Sequence, residues 1–125
     1  MAHQILVVDD EENIAHSLNF LMEKAGYSVR LAADGEEAIE AIKEAPPDLI
    51  LLDINMPRMN GYQVCESVRA NPEWKDIVIV MLTAKGRDIE REKGLAMGAD
   101  DYIIKPFSTQ EVIEKVRGIL ESRAD

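Results

Sequence analysis

Three aspartates, a threonine and a lysine stand out in this sequence for the places they occupy. Asp9 and Asp10 follow the apolar run Ile5–Val8. Asp53 follows Leu49–Leu52, Thr83 follows Ile77–Leu82, and Lys105 follows Tyr102–Ile104. If those runs are strands of one parallel sheet, all five side chains converge outside the carboxyl ends of the strands, where open α/β sheets bind ligands. Each alone has a plain explanation. Asp9 or Asp10 suits a helix cap, Asp53 a turn, Thr83 a loop, and Lys105 an exposed end charge. Together they have a chemistry. Clustered carboxylates raise one another's pKa, and a cation relieves them. Hard oxygen ligands in an incomplete cage fit Mg²⁺, which keeps several waters. A carboxylate beside it can attack phosphorus and form an aspartyl phosphate. Metal, lysine and hydroxyl can then hold the phosphoryl oxygens.

The elements that must position these residues are legible as alternating patterns. The apolar runs are short, and several are rich in Val and Ile, as strands are. Runs without polar alternation indicate strands buried on both faces. Val29–Leu31, broken by Arg30, reads as an edge strand. Ile14, Leu18, Leu21, Met22 and Ala25 form a helical stripe that Gly26 stops. A second helix runs from Asp34-Gly35, with Ala38, Ala41 and Ile42 on one face, to Pro46-Pro47, which cannot continue it. A third starts near Gly61, carries Val64, Cys65 and Val68, and ends at Asn71-Pro72. The fourth, Arg87–Met97, is the weakest: its apolar face is thin, and Gly94 costs ~1 kcal/mol relative to Ala. The fifth opens on a capping box, Ser108-Thr109-Gln110-Glu111, and carries Val112, Ile113, Val116, Ile119 and Leu120. Alternation of this kind predicts a parallel sheet with helices on both faces and right-handed crossovers. Pattern alone leaves two strand orders open, the dinucleotide-binding order and the flavodoxin-like 2-1-3-4-5.

Composition narrows the class of protein. A chain of 125 residues is expected to form one domain. The net charge of −10 argues against a nucleic-acid-binding footprint and against an anionic membrane surface. One cysteine, Cys65, excludes an internal disulfide and a cysteine-rich zinc site, and suits a reducing cytosol. The longest apolar run falls far short of the ~20 residues of a membrane span, and the N-terminus has no signal-peptide pattern. A cytoplasmic location is expected.

Four separated motifs carry a resemblance. They are Ile5-Leu6-Val7-Val8-Asp9-Asp10-Glu11, Asp53-Ile54-Asn55-Met56-Pro57-Arg58-Met59-Asn60-Gly61, Met81-Leu82-Thr83-Ala84, and Gly98-Ala99-Asp100-Asp101-Tyr102-Ile103-Ile104-Lys105-Pro106-Phe107. In order and at the expected strand ends, they make the chain resemble the receiver domains of bacterial two-component response regulators over about Gln4 to Leu120. The resemblance implies the flavodoxin-like (βα)5 fold with order 2-1-3-4-5, and a switch driven by phosphorylation. It makes Asp53 the phosphoacceptor and Asp10 a direct Mg²⁺ ligand. Asp9 acts through metal-bound water, and Asn55 gives its backbone carbonyl. Thr83 and Lys105 hold the phosphoryl group, and Tyr102 follows Thr83 as the switch aromatic. Lys105-Pro106 is expected to be cis, and Gly61 to start the third helix where a side chain would crowd. The donor is expected to be a sensor histidine kinase or a histidine phosphotransfer protein, with no direct nucleic-acid or membrane partner.

Further expectations attach to that resemblance. Asn55 and Lys85 occupy positions that tune phosphoryl lifetime. Arg91, Asp100, Asp101 and Lys115 resemble the face through which some receivers dimerise on phosphorylation, with Lys115 where arginine is usual, which forgoes bidentate pairing. Residues 1–125 are expected to be a single receiver domain without an output domain. Self-catalysed phosphoryl transfer and loss are expected, and no enzyme activity on other substrates. An aspartyl-nucleophile phosphatase fits poorly, since Asp9 and Asp10 are adjacent where such enzymes use Asp-x-Asp. A flavin- or nucleotide-binding module would need a phosphate cradle after the first strand, where Asp9-Asp10-Glu11-Glu12 repels phosphate. The runner-up is a phosphorylation-independent interaction module of the same fold.

Overall fold

The computed structural model describes residues 3–84 and 86–123. The elements alternate strictly: β1 (Gln4–Val8), α1 (Glu12–Lys24), β2 (Ser28–Ala32), α2 (Gly35–Glu44), β3 (Leu49–Asp53), α3 (Gly61–Ala70), β4 (Val78–Ala84), α4 (Asp88–Ala96), β5 (Asp101–Lys105) and α5 (Thr109–Arg123). A short 3-10 helix at Pro72–Trp74 precedes β4. All neighbouring strands pair in parallel, in the order 2-1-3-4-5. β2 lies at an edge, as its interrupting Arg30 suggested; the guanidinium leaves the ladder to donate to the carbonyls of Ala41 and Ala45.

The sheet divides two apolar cores, and strand alternation assigns residues to each. Ile5, Val7, Leu49, Leu51, Val80 and Leu82 face α1 and α5, packing on Leu18, Met22, Val112 and Val116. Leu6, Val8, Ile50, Leu52, Ile79 and Met81 face the other way, onto Ala38, Ile42, Val64, Cys65 and Val68. The central strand β3 is buried along its whole length, the expected fate of a strand covered on both faces. Trp74 packs partly buried against the second core, just past the end of α3.

Helix ends follow local chemistry. The Asp34 side chain accepts from the Glu37 N–H and caps α2. Asn60 and Gln63 form a reciprocal capping box at the start of α3. Ser108 Oγ accepts from the Glu111 N–H ahead of α5. Gly26 (φ 99°) and Gly98 (φ 111°) end α1 and α4 in the left-handed region. Arg69 fastens the far side of the molecule. Its guanidinium donates to the carbonyls of Gly98, Lys75 and Ile77 and to Asp100. Two connections, α3–β4 and α4–β5, thereby meet on one side chain.

Candidate functional site

Strand register brings the polar residues together. Val8 pairs with Leu52, Asp53 with Leu82, and Thr83 with Ile104. Asp9 just beyond β1, Asp53 and Lys105 at the ends of β3 and β5, and Thr83 near the end of β4 therefore sit at one level. Asp53, Thr83 and Lys105 lie within their strands rather than after them, so the ladder fixes their backbone.

The Lys105 ammonium donates to Asp9 Oδ2 at 3.0 Å and to Asp53 Oδ1 at 3.2 Å. Asp9 is 2% exposed and Asp53 6%, while Asp10 stands open to solvent. A carboxylate oxygen from each of the three lies within 4.8 Å of the others. Asp9 Oδ1 also accepts from the Glu11 N–H at 2.9 Å. The helix-cap explanation for Asp9 is thus only partly met: it shapes the entry to α1, but the N-cap residue is Glu11.

Burial, reinforced by the Asp9 charge, pushes the Asp53 carboxyl up to about 6, against the pull of Lys105. Burial alone would lower Lys105, but Asp53 and Asp9 outweigh it and hold the ammonium above its ordinary value. Three carboxylates against one ammonium leave a formal charge of −2 in a pocket whose side at Asp10 is open. An all-oxygen anionic set with one open side fits a hydrated divalent cation.

Thr83 supplies a second sign of an incomplete site. It is 1% exposed, and its Oγ1 has no hydrogen-bond partner among the described residues. An unsatisfied buried hydroxyl costs about 1–3 kcal/mol, so this one has bonding capacity that an incoming oxygen could use. Gly61 closes the floor: a Cβ there would lie 2.4 Å from the Asp53 carbonyl oxygen. Its N–H donates to the Ile54 carbonyl at 2.9 Å, which fixes the chain just after Asp53.

The other sequence-predicted residues surround this pocket. Asn55 is exposed, and its amide reaches Glu90 Oε2 at 3.4 Å. The Lys105–Pro106 peptide bond is cis. The half-buried Tyr102 ring lies between two cations, Arg91 at 5.1 Å and Lys115 at 5.3 Å from its centroid. Lys115 also bonds Asp101 and the Tyr102 carbonyl, and Arg91 pairs with Asp88. Asp100 turns away from this group: its carboxylate is held by Arg69 and the Ile79 N–H. Lys85 lies outside the described residues.

Sequence reasoning missed two features of the rim. Arg58, with a left-handed φ of 65°, ion-pairs at 3.3 Å with the buried Asp34, tying the loop after β3 to the start of α2. Glu90 on α4 faces Asn55, and one of its carboxylate oxygens is buried without a partner among the described residues. Neither has a local signature, because both contacts bridge separate connections. The Asn60–Gln63 capping box also went unread, although its spacing carries the signal.

The response regulator receiver domain model matches residues 5–117, and the chain belongs to that family. Solved structures agree. A chain from Chloroflexus aurantiacus assigned to the response regulators is 40% identical, with TM-score 0.93, covering 97% of this chain and 99% of that one. The chemotaxis response regulator CheY4 of Vibrio cholerae is 32% identical, with TM-score 0.90, covering 95% and 99%. The signal receiver domain of a histidine kinase from Syntrophus aciditrophicus is 31% identical, with TM-score 0.90, covering 98% and 92%. This is a receiver domain of two-component signalling, with a CheY-like fold. Among the described residues no helix is long and apolar enough to cross a membrane.

Proposed function

We propose that Asp53 accepts a phosphoryl group and that the domain is a switch read through Thr83 and Tyr102. The observation that carries this is the pairing of a buried, uncomfortable Asp53 carboxylate with an unpartnered Thr83 hydroxyl around one lysine. A module that never bound phosphoryl would keep three clustered carboxylates and a buried orphan hydroxyl at a cost to stability and with no return. That disfavours the phosphorylation-independent alternative.

An Asp53 carboxylate oxygen attacks phosphorus in line. The new P–O bond forms as the donor's P–N or P–O bond breaks, and the leaving imidazole or carboxylate departs with its electron pair. A histidine kinase or histidine phosphotransfer protein supplies the first kind of donor, and a small acyl phosphate the second. Lys105 pairs with a phosphoryl oxygen, and Thr83 donates its hydroxyl to another. Asp10, Asp53 and the Asn55 carbonyl would hold Mg²⁺, with Asp9 acting through water, and the bound cation would supply the remaining charge neutralisation. The new group brings about −1.5 to −2 of charge and three acceptor oxygens.

Movement of Thr83 toward that group leaves space behind it for the Tyr102 ring. Inward movement would take the ring from Arg91 and Lys115 and redistribute charge on the face formed by α4, β5 and α5. A phosphorylation-dependent homodimer through Arg91, Asp101 and Lys115 follows from this reading, with Asp100 contributing through its bond to Arg69. Sedimentation with and without beryllofluoride tests the dimer. Intact-protein mass after incubation with acetyl phosphate and Mg²⁺ tests the acceptor. One phosphoryl group is expected, and it is absent with EDTA.

A further inference from the structure

α4 is weakly fastened. It buries only Gly94, Ile89 is 80% and Leu95 44% exposed, and its N-cap residue Arg87 makes no side-chain cap. Its hold on the site end of the molecule is polar. The Glu90 carbonyl accepts from the Tyr62 hydroxyl at 3.3 Å, Lys93 lies 4.4 Å above the Tyr62 ring, and the Glu90 carboxylate meets the Asn55 amide.

The Glu90 side chain is an odd choice for that place. It is 14% exposed, and one carboxylate oxygen has no partner among the described residues. The other oxygen carries both contacts, a long bond from Asn55 at 3.4 Å and Arg87 at 3.7 Å. A negative charge is thus kept beside a residue two positions from the phosphoryl acceptor. Held against Asn55, this charge opposes the arrival of an anion beside that residue.

We infer that Glu90 is an electrostatic latch, a positioning residue that holds α4 against Asn55 in the resting state and is released by the phosphoryl group. The inference rests on Asp53 being the acceptor. The phosphoryl charge repels the Glu90 carboxylate, whose side chain is itself largely buried, and its oxygens compete for the Asn55 amide. Once Glu90 lets go, α4 keeps few apolar contacts to hold its first turn. This couples the site to α4 by a route separate from Thr83 and Tyr102. By reciprocity, whatever weakens the latch must favour phosphoryl binding.

The test uses the whole chain with Mg²⁺ and beryllofluoride. Glu90→Gln keeps the shape and an acceptor but removes the charge. Apparent beryllofluoride affinity is expected to rise about threefold to tenfold. Amide exchange across residues 88–96 of the unliganded variant is expected to move toward that of the liganded wild type. Asn55→Ala provides the cycle: in that background the gain from Glu90→Gln should be smaller, since the competition for the amide is already gone, which a merely structural role would not produce. Unchanged or weaker affinity in Glu90→Gln, or an equal effect in both backgrounds, overturns the latch. Failure of the wild type itself to bind beryllofluoride overturns the acceptor reading, and the latch with it.

Discussion

One ammonium, that of Lys105, bridges two buried carboxylates, Asp9 at 3.0 Å and Asp53 at 3.2 Å. It tethers the ends of β1, β3 and β5, yet it cannot neutralise both acids, and Asp10 adds a third. The resting pocket is therefore held together by a contact that is itself short of positive charge. That shortage is what a divalent cation would resolve.

The strain on Asp53 has a measurable sign. Its carboxyl titrates at about 6 in the fold, above its value of about 4 in an unfolded chain. The neutral form is the one the fold favours, so this stability is fully present below about pH 4 and is lost as pH rises through about 6. In metal-free protein, Asp53→Asn should be more stable than wild type by about 1–2 kcal/mol at pH 8, after discounting for solvent screening. The difference should vanish near pH 4. Urea unfolding at the two pH values checks this, and millimolar Mg²⁺ should raise the wild-type midpoint but not that of Asp53→Asn.

Thr83→Val should separate stability from function. The change replaces the orphan hydroxyl by a methyl group of similar size. The resting protein is expected to gain about 1 kcal/mol, read as a higher denaturant midpoint. Beryllofluoride binding should fall about tenfold, since a donor to one of its fluorines is gone.

Two glycines should respond oppositely to alanine. At Gly61 the new Cβ would lie 2.4 Å from the Asp53 carbonyl oxygen, and backbone cannot yield as a side chain can. A loss of about 1–3 kcal/mol is expected from overpacking, together with slower phosphorylation as the end of β3 shifts. At Gly118, within α5, a Cβ meets nothing within 4 Å. Alanine there should stabilise by about 0.5–1 kcal/mol. Thermal unfolding of the two variants reads both signs.

Arg69→Ala should be among the most damaging changes far from the site. It frees Asp100 and leaves the carbonyls of Gly98 and Ile77 without their donor. A loss of about 2–4 kcal/mol in denaturant unfolding is expected. Arg69→Lys should recover little, because an ammonium cannot reproduce the guanidinium fork.

Most of the fold was legible because its apolar runs are unambiguous. Leu49–Leu52 reads as a doubly covered strand and is one, and Arg30 marks the edge it occupies. The polar residues were legible for the same reason, since each follows such a run. Strand ends were less so. β4 continues through Thr83 to Ala84, since ladder pairing with Ile104 and Lys105 carries the strand past its apolar stretch. The 3-10 turn at Pro72–Trp74 and the contacts Arg58–Asp34 and Glu90–Asn55 were hidden. The two contacts join residues with no sequence relation, and only the assembled sheet edge brings them near. Asp100 was read as part of a charged face; its side chain is 40% exposed, and its carboxylate also serves Arg69 and the β4 backbone, which no sequence pattern showed.

The most direct measurement is to trap the acceptor chemically. The protein is phosphorylated with acetyl phosphate and Mg²⁺, reduced with borohydride, digested and mapped by mass. An acyl phosphate on Asp53 would be reduced to the alcohol with release of phosphate, so homoserine at position 53 alone is expected, and none without Mg²⁺. Reduction at another aspartate, or an unmodified position 53 in protein shown by intact mass to carry phosphate, would contradict the assignment of Asp53.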